Sequence, residues 1–186
     1  MKYCRAIFTA CLVVCIVMPM TANAVRVYSD SEPPLIYPQK KDYHLCKDED
    51  LVGGTWKLVL FRETPPHREA TYYRSIPYHY IAFFPQRVYA FIATNKEIMS
   101  AASLQKTMQA SLMLSQEASL RQRLGKYYSL SNGGVLGLYR GKKGLYSFRC
   151  IAVSNTQGDF VKGDLVLVGY TKKKRTQIYE LYRRWY

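Results

Sequence analysis

The sequence has few of the residues that mark catalytic and metal-binding sites. It contains only three histidines, His44, His67 and His79, and their spacing matches no metal-ligand motif. The stretch 131–134 (Ser-Asn-Gly-Gly) lacks both the Lys of a phosphate-binding loop and the strand–turn–helix setting of a nucleophilic serine. The sequence therefore predicts a protein that is not an enzyme and that holds no metal ion and no cofactor.

Long apolar runs are also scarce, and the main one lies at the start of the chain. Lys2 and Arg5 precede an apolar stretch over 6–20, which is followed by the small-residue triplet Ala-Asn-Ala at 22–24. This is the pattern of a cleaved secretory signal peptide, and the stretch is short for a membrane span. We therefore expect residues 1–24 to be removed and the remaining 162 to be periplasmic or secreted, without a transmembrane segment. An uncleaved membrane anchor is the alternative.

Cysteine is rare in the rest of the chain, where only Cys46 and Cys150 remain of five. Two cysteines in an oxidising compartment most simply pair. Closing a loop of about 100 residues stabilises a fold by up to roughly 4–5 kcal/mol in the chain-entropy model. The sequence predicts a Cys46–Cys150 disulfide, and a reactive thiol is the alternative.

Acidic residues are few as well. The chain has 13 Asp and Glu against 27 Lys and Arg, and only Lys2 and Arg5 of these lie in the signal segment. The mature chain therefore has 25 basic and 13 acidic residues, a net charge of +12. A charge of this size attracts polyanions, such as nucleic acid, a phosphorylated glycolipid or an acidic protein surface.

Strand patterns dominate what is present after residue 50. Residues 25–50 have three prolines and no periodicity, which predicts an extended arm held by Cys46, with one helical turn before Leu51. Alternating apolar residues after Gly54 predict a first strand, residues 63–76 a long loop, and residues 78–92 a hairpin. Further strand patterns are separated by short turns rich in Gly and Lys, which is typical of an antiparallel meander. These strands occupy 126–130, 135–140, 145–153, 164–170 and 176–184.

One segment between the strands has the helical period instead. Thr94 and Glu97 have the spacing of a capping box, and residues 97–124 contain no Gly or Pro before Gly125. This predicts an amphipathic helix over about 95–124, packed against the strands as core, with a mobile cover over a cavity as the alternative. The predicted fold is mainly β: a small antiparallel up-and-down eight-stranded β-barrel over residues 51–186 with one inserted helix.

Three stretches of the chain resemble the bacterial lipocalin-like domains, which belong to the calycin group of eight-stranded barrels. They are Leu51–Val59, with its Gly-x-Trp, then Ile81–Tyr89, and Glu180–Arg184 at the end. This chain differs by one extra Gly at 53–54, and its inserted helix lies outside the usual pattern. The resemblance implies a barrel with one open end.

Chain direction indicates which end is shut. In an up-and-down barrel, the last strand returns to where the first begins, so Trp56 should meet Arg183 or Arg184 there. A guanidinium over an indole stabilises by about 0.5–2 kcal/mol and would close that end. The inserted helix and two basic turns should surround the opposite, open end. The predicted basic rim consists of Lys142, Lys143, Lys172, Lys173, Lys174 and Arg175.

The leading hypothesis from the sequence is an exported, non-enzymatic binding barrel. It would hold an apolar, amphipathic or anionic ligand, and the candidate wall residues are Leu58, Leu60, Tyr80, Phe83, Tyr89, Phe91, Phe148 and Tyr170. Glu180 is the one carboxylate expected to point inward, paired with an arginine such as Arg149.

An interaction module is the alternative hypothesis, in which the basic rim docks on an envelope component, a glycan or an acidic protein. Nucleic-acid binding is a third hypothesis, since tyrosines next to arginines at 72–74 and 182–184 could stack on bases. Export argues against it.

Overall fold

The computed structural model describes residues 24–27, 38–64, 68–116, 125–141, 143–170 and 176–185 of the 186-residue chain. Its strands are β1 (Arg26–Val27), β2 (Tyr43–Leu45), β3 (Thr55–Thr64), β4 (Tyr78–Phe83), β5 (Tyr89–Thr94), β6 (Lys126–Leu130), β7 (Val135–Arg140), β8 (Lys143–Val153), β9 (Leu165–Tyr170) and β10 (Gln177–Arg184). Its helices are α1 (Asp48–Leu51), α2 (Arg68–Ser75) and α3 (Ala101–Gln116), with a 3-10 turn at Lys40–Asp42. The predicted signal peptide falls outside the described residues, apart from residue 24.

Strands β3 to β10 form an antiparallel sheet in which β3 to β5 and β6 to β10 each pair in sequence order, and β10 pairs back onto β3. The remaining join, between β5 and β6, is much thinner. It consists of a bridge between Val88 and Tyr127 and of the Tyr128 N–H donating to the Arg87 carbonyl at 2.8 Å. The predicted eight-stranded up-and-down barrel is confirmed, and it is nearly closed, with a seam between β5 and β6.

All eight barrel strands contribute side chains to one interior cluster, because alternate residues of each strand face inward. This cluster includes Trp56, Leu58, Phe61, Ile81, Phe83, Tyr89, Tyr128, Leu136, Phe148, Leu167, Ile178 and Tyr182. A second cluster lies on the outer face of β3, β8, β9 and β10, where Tyr43 of the N-terminal arm packs against it. The molecule therefore has an apolar cluster inside the barrel and a second apolar layer on its outer face.

A bulge in β3 decides which of these two clusters its residues join. The register against β10 shifts between Leu58 and Leu60, which leaves Val59 as the extra residue. Because side chains alternate along a strand, the extra residue reverses the faces beyond it. Leu58 and Phe61 therefore lie in the interior cluster, whereas Leu60 lies in the outer one.

The N-terminal arm is held at several points. β1 pairs in parallel with β3, and β2 pairs antiparallel with β8. Directly after β2, Cys46 forms the predicted disulfide with Cys150, whose Cα atom is 5.3 Å away. The predicted helical turn before Leu51 is α1, and Arg87 of the β4–β5 turn donates two hydrogen bonds of 2.5 Å to the Asp48 carboxylate.

The inserted helix begins later than the sequence predicts. The spacing of Thr94 and Glu97 predicts a capping box, but α3 starts at Ala101, and Ser100 caps it instead: the Ser100 Oγ accepts from a first-turn N–H at 3.4 Å. The carboxylate of Glu97 bonds to the buried ammonium of Lys57. The predicted start is wrong because this tertiary ion pair takes the carboxylate that the local pattern assigns to the cap. Residues 117–124 of the predicted helix lie outside the described ranges.

Helix α3 covers the outer face of β4 and β5. Its buried residues Leu104 and Met108 pack with Tyr80, Ala82 and Ala90, which face away from the barrel interior. The small alanines allow the helix to approach the sheet closely. The predicted packing of this helix against the barrel is therefore confirmed for its described part.

The segment 63–76, predicted as a loop, is largely structured. β3 continues to Thr64, and α2 spans Arg68–Ser75. The prediction is wrong here because the run that follows the prolines at 65 and 66 contains no Gly or Pro and can form a helix. This short helix brings Tyr72 and Tyr73 to the end of the barrel.

Candidate ligand-binding cavity

Chain direction places four connections at one end of the barrel. They follow β3, β5, β7 and β9, and the first of them contains α2. Helix α3 was expected at this opening, but its Leu104, Gln105 and Met108 border a groove with Gly54 and Pro85 at the opposite end. The described part of α3 therefore lies along the side of the barrel, and α2 is the helix at the opening.

A cavity of about 390 Å³ lies inside the barrel at the α2 end. This volume is within the range of small-molecule binding sites. Most of its wall is aromatic or aliphatic, with a few charged groups. The lining residues are Tyr72, Tyr73, Ile81, Tyr89, Phe91, Lys126, Leu138, Arg140, Leu145, Tyr146, Phe148, Glu180 and Tyr182.

Glu180 is the acidic group of this cavity, and it is only 6% exposed. Its Oε1 accepts a hydrogen bond from the Tyr73 hydroxyl at 2.9 Å, and the Tyr182 hydroxyl also donates to it. Burial, together with the negative charge of Glu180, raises the pKa of both phenols well above the ordinary value. Both tyrosines therefore stay protonated at neutral pH and orient the carboxylate as donors. Arg149, the predicted partner, is instead exposed on the outer face of β8.

His79 lies behind the aromatic wall and is fully buried. Its ring centroid is 4.4 Å from that of Tyr73 and 5.6 Å from that of Phe91. The Nε2–H donates to the Ile76 carbonyl, and the buried Nδ1 has no hydrogen-bond partner within the described part of the chain. Burial lowers the pKa of His79 to about 4. The ring is therefore neutral at physiological pH and adds no charge to the cavity.

Two cationic side chains, those of Lys126 and Arg140, lie at the opening of the cavity. Lys126 begins β6, Arg140 ends β7, and the two residues are register partners at the open end. The Lys126 Nζ donates to the Phe91 carbonyl at 3.3 Å, across the seam between β5 and β6. Burial, and then the positive charge of Arg140, lower the pKa of Lys126. The sequence pattern gives no signal for these residues, since only the hairpin register brings the two ends of 126–140 together.

Five of the eight candidate wall residues lie on the interior face: Leu58, Phe83, Tyr89, Phe91 and Phe148. Of these, Tyr89, Phe91 and Phe148 line the cavity itself, whereas Leu58 and Phe83 belong to the filled part of the interior.

The other three candidate wall residues lie outside the barrel. Leu60 is on the outer face because of the bulge at Val59. Tyr80 lies under α3, where its hydroxyl accepts from the Ile98 N–H at 3.1 Å. Tyr170 is 63% exposed, because β9 turns Leu165 and Leu167 inward and the even-numbered residues between and after them outward. Assigning these three to the cavity wall is therefore wrong.

The predicted basic rim can be placed only at one residue. Lys143 is described, and it is exposed at the start of β8, at the open end. Lys142, Lys172, Lys173, Lys174 and Arg175 lie outside the described residues.

Trp56 lies at the end of the barrel opposite the cavity opening and is 1% exposed. Arg184 is its register partner on β10, and both residues border a cleft at this end. Arg183 points to the outer face instead and pairs with Asp164 at 3.0 Å. A Cβ atom on Gly54 would lie 2.7 Å from the indole ring, so the Gly-x-Trp pattern has a steric cause.

A serine, a histidine and an aspartate also meet near this end. His44 Nδ1 is 2.8 Å from the Ser154 Oγ, and His44 Nε2 is 3.0 Å from the Asp50 carboxylate. Acyl transfer also needs N–H donors for the oxyanion. The backbone N–H groups of Ser154 and Asn155 both donate to the Asp42 carbonyl, at 2.8 and 3.3 Å. These contacts tie the arm to the end of β8.

The described residues contain no group of three or more His, Cys, Asp or Glu side chains that could hold a metal ion. None of their helices combines the length and the apolar character that a bilayer span requires.

Comparison of the chain with protein-family models, curated proteins and solved structures finds no match. The resemblance to the lipocalin-like domains therefore stays a prediction.

Proposed function

We propose that the protein is an exported, non-enzymatic binding barrel of the lipocalin-like type. It holds an amphipathic ligand in the interior cavity, with the polar end of the ligand at the basic opening. The observation that carries this proposal is the cavity of about 390 Å³, whose wall is largely aromatic and whose opening has two cations, Lys126 and Arg140.

The way in which the interior is filled supports this proposal. Eight-stranded barrels have an interior just wide enough either to be filled by side chains or to hold one small ligand. Here large side chains such as Trp56, Leu58 and Phe83 fill one end, and the other end retains the cavity. Apolar walls with a few placed polar groups are typical of ligand sites, because the walls supply affinity and the polar groups fix orientation.

Export is part of the proposal and has its own support. The Cys46–Cys150 disulfide is of a kind that persists in oxidising compartments. The signal-like segment at residues 1–24 agrees with it.

The experiment that tests binding compares two matched tryptophan variants. Leu145 lines the cavity and is 43% exposed, and Val161 lies away from it and is 40% exposed. Both sites admit a larger side chain, but only Leu145→Trp narrows the cavity. We expect Leu145→Trp to weaken binding of 1-anilinonaphthalene-8-sulfonate by about tenfold, or about 1.4 kcal/mol, and Val161→Trp to leave it unchanged in fluorescence titrations.

A screen of the wild-type protein against extracted lipids by native mass spectrometry accompanies the titration. If no probe or lipid binds, or if both variants bind equally, the cavity is not a ligand site. In that case, the alternative of a docking module gains support. Replacing Lys142, Lys172, Lys173 and Lys174 with Glu tests the alternative directly, since it should abolish partner binding and leave apolar-ligand binding intact.

A further inference from the structure

Several aromatic rings surround the carboxylate of Glu180. The hydroxyls of Tyr73 and Tyr182 donate to it. Burial raises the pKa of Tyr89 to about 12, and Tyr146 contributes to this increase as it does for Tyr73 and Tyr182. Tyr146 lines the same cavity. All four tyrosines line the cavity, so a ligand group above Glu180 lies among aromatic rings.

This combination favours an organic cation. The faces of aromatic rings attract ammonium groups, by about 0.5–2 kcal/mol for each well-placed ring, and more when water is excluded. A carboxylate adds the opposite charge, and two phenol donors fix its direction. An apolar or anionic group at the same place would leave a buried acidic group facing it, which is unfavourable.

The opening has the opposite charge. Lys126 and Arg140 occupy the ends of their strands, whereas Glu180 is the fourth residue of β10, counted from the same end at Gln177. Three residues along a strand span roughly 10 Å. The cavity is therefore negative at depth and positive at its opening, over the length of a small molecule.

We propose that the cavity binds a zwitterion, with its ammonium group among the tyrosines above Glu180 and its acidic group at Lys126 and Arg140. This inference rests on the proposed binding function, and it specifies the ligand. Phosphocholine and phosphoethanolamine have this chemistry, both as free molecules and as lipid headgroups.

The test measures phosphocholine binding by isothermal titration calorimetry, with choline and propyl phosphate as the two half-ligands. Glu180→Gln keeps the shape of the side chain and still accepts from the phenols. We expect this variant to weaken the binding of phosphocholine and choline by about tenfold, which is about 1.4 kcal/mol. The binding of propyl phosphate should stay unchanged or become tighter. Glu49→Gln is the matched control, because Glu49 is exposed at the other end of the barrel.

A second pair of variants tests the aromatic rings without changing a charge. Tyr146→Leu removes a ring that lines the cavity, where the side chain is 38% exposed, and Tyr170→Leu removes an exposed ring from the outer face. We expect at least a threefold loss of choline and phosphocholine affinity for Tyr146→Leu and none for Tyr170→Leu. Arg140→Gln should weaken the binding of phosphocholine and of propyl phosphate but not the binding of choline.

The outcomes separate the two proposals. If 1-anilinonaphthalene-8-sulfonate binds but choline and phosphocholine do not, or if Glu180→Gln leaves their affinity unchanged, the proposal of a zwitterionic ligand is wrong. The proposed binding function then still stands. If neither the apolar probe nor the zwitterion binds, both are wrong. Lysophosphatidylcholine distinguishes the sources: binding much tighter than that of phosphocholine supports a lipid headgroup, and equal binding supports the free zwitterion.

Discussion

The buried ion pair beneath α3 allows a quantitative test of what holds the inserted segment to the barrel. The side chains of Lys57 and Glu97 are only 3% and 6% exposed, and the Lys57 Nζ lies 4.4 Å from the centroid of the Trp185 ring. Glu97→Gln leaves this buried ammonium facing a neutral amide. Removing one partner of a buried pair costs about 3–5 kcal/mol. Because the amide oxygen of Gln still accepts a hydrogen bond, we expect the unfolding free energy to fall by about 3 kcal/mol, the lower end of this range.

Urea unfolding followed by tryptophan fluorescence measures this loss. With a slope of about 2 kcal/mol per molar urea, the midpoint should fall by about 1.5 M. Glu49→Gln removes the charge of an exposed pair with Lys47 and should cost less than about 0.5 kcal/mol. The double variant Lys57→Met/Glu97→Leu should recover most of the loss, since an apolar pair needs no counter-charge. A Glu97→Gln midpoint within 0.5 M of wild type (about 1 kcal/mol), or a double variant no better than the single one, would refute the reasoning.

Three further predictions concern stability. The Cys46→Ala/Cys150→Ala variant opens a loop with a sequence separation of 104, so we expect it to lose about 4 kcal/mol in the same urea assay; an unchanged midpoint would contradict a stabilising disulfide. Gly134→Ala should lower the melting temperature more than Gly158→Ala does. Both glycines have positive φ, but a Cβ on Gly134 would lie 2.8 Å from the Leu45 Cβ, whereas Gly158 faces open space. Equal losses in melting temperature would show that the contact with Leu45 relaxes. The pKa of His79 is lowered from 6.5 to about 4 in the folded state, so between these two values the unfolded chain binds the proton more readily than the folded chain does. The contribution of His79 to the unfolding free energy should therefore be complete above pH 6.5 and be lost as the pH falls towards 4. His79→Phe should flatten this part of the curve of unfolding free energy against pH, and an unchanged slope would rule out His79 as its source.

The barrel was predictable because its strands have a clear two-residue period and short turns. Each connection also has the chain direction that a meander requires, so strand counting, together with the resemblance and the position of Trp56, predicted which end is open. The disulfide was predictable because only Cys46 and Cys150 remain after the predicted signal segment.

The misplaced features depend on contacts between residues that are far apart in sequence. The pattern around Thr94 cannot show that Glu97 has a distant partner in Lys57, so the helix start was placed too early. Alternation in β3 predicts Leu60 inside, because a bulge becomes visible only in the register against β10. The cations at the opening, Lys126 and Arg140, are 14 positions apart and meet only through hairpin pairing.

The thin seam between β5 and β6 has a consequence for the order in which the barrel forms. The strong pairing of β3 with β10 joins the two ends of the barrel sequence, and the Trp185 N–H donates to the Thr55 carbonyl at 2.7 Å. A circular permutant opened between residues 116 and 125, with β10 linked to β3, would place every extensive strand pairing between consecutive strands. Folding rates fall as the sequence separation of contacts grows. We expect the permutant to fold faster than the natural chain, with the natural seam as the place where its ends lie.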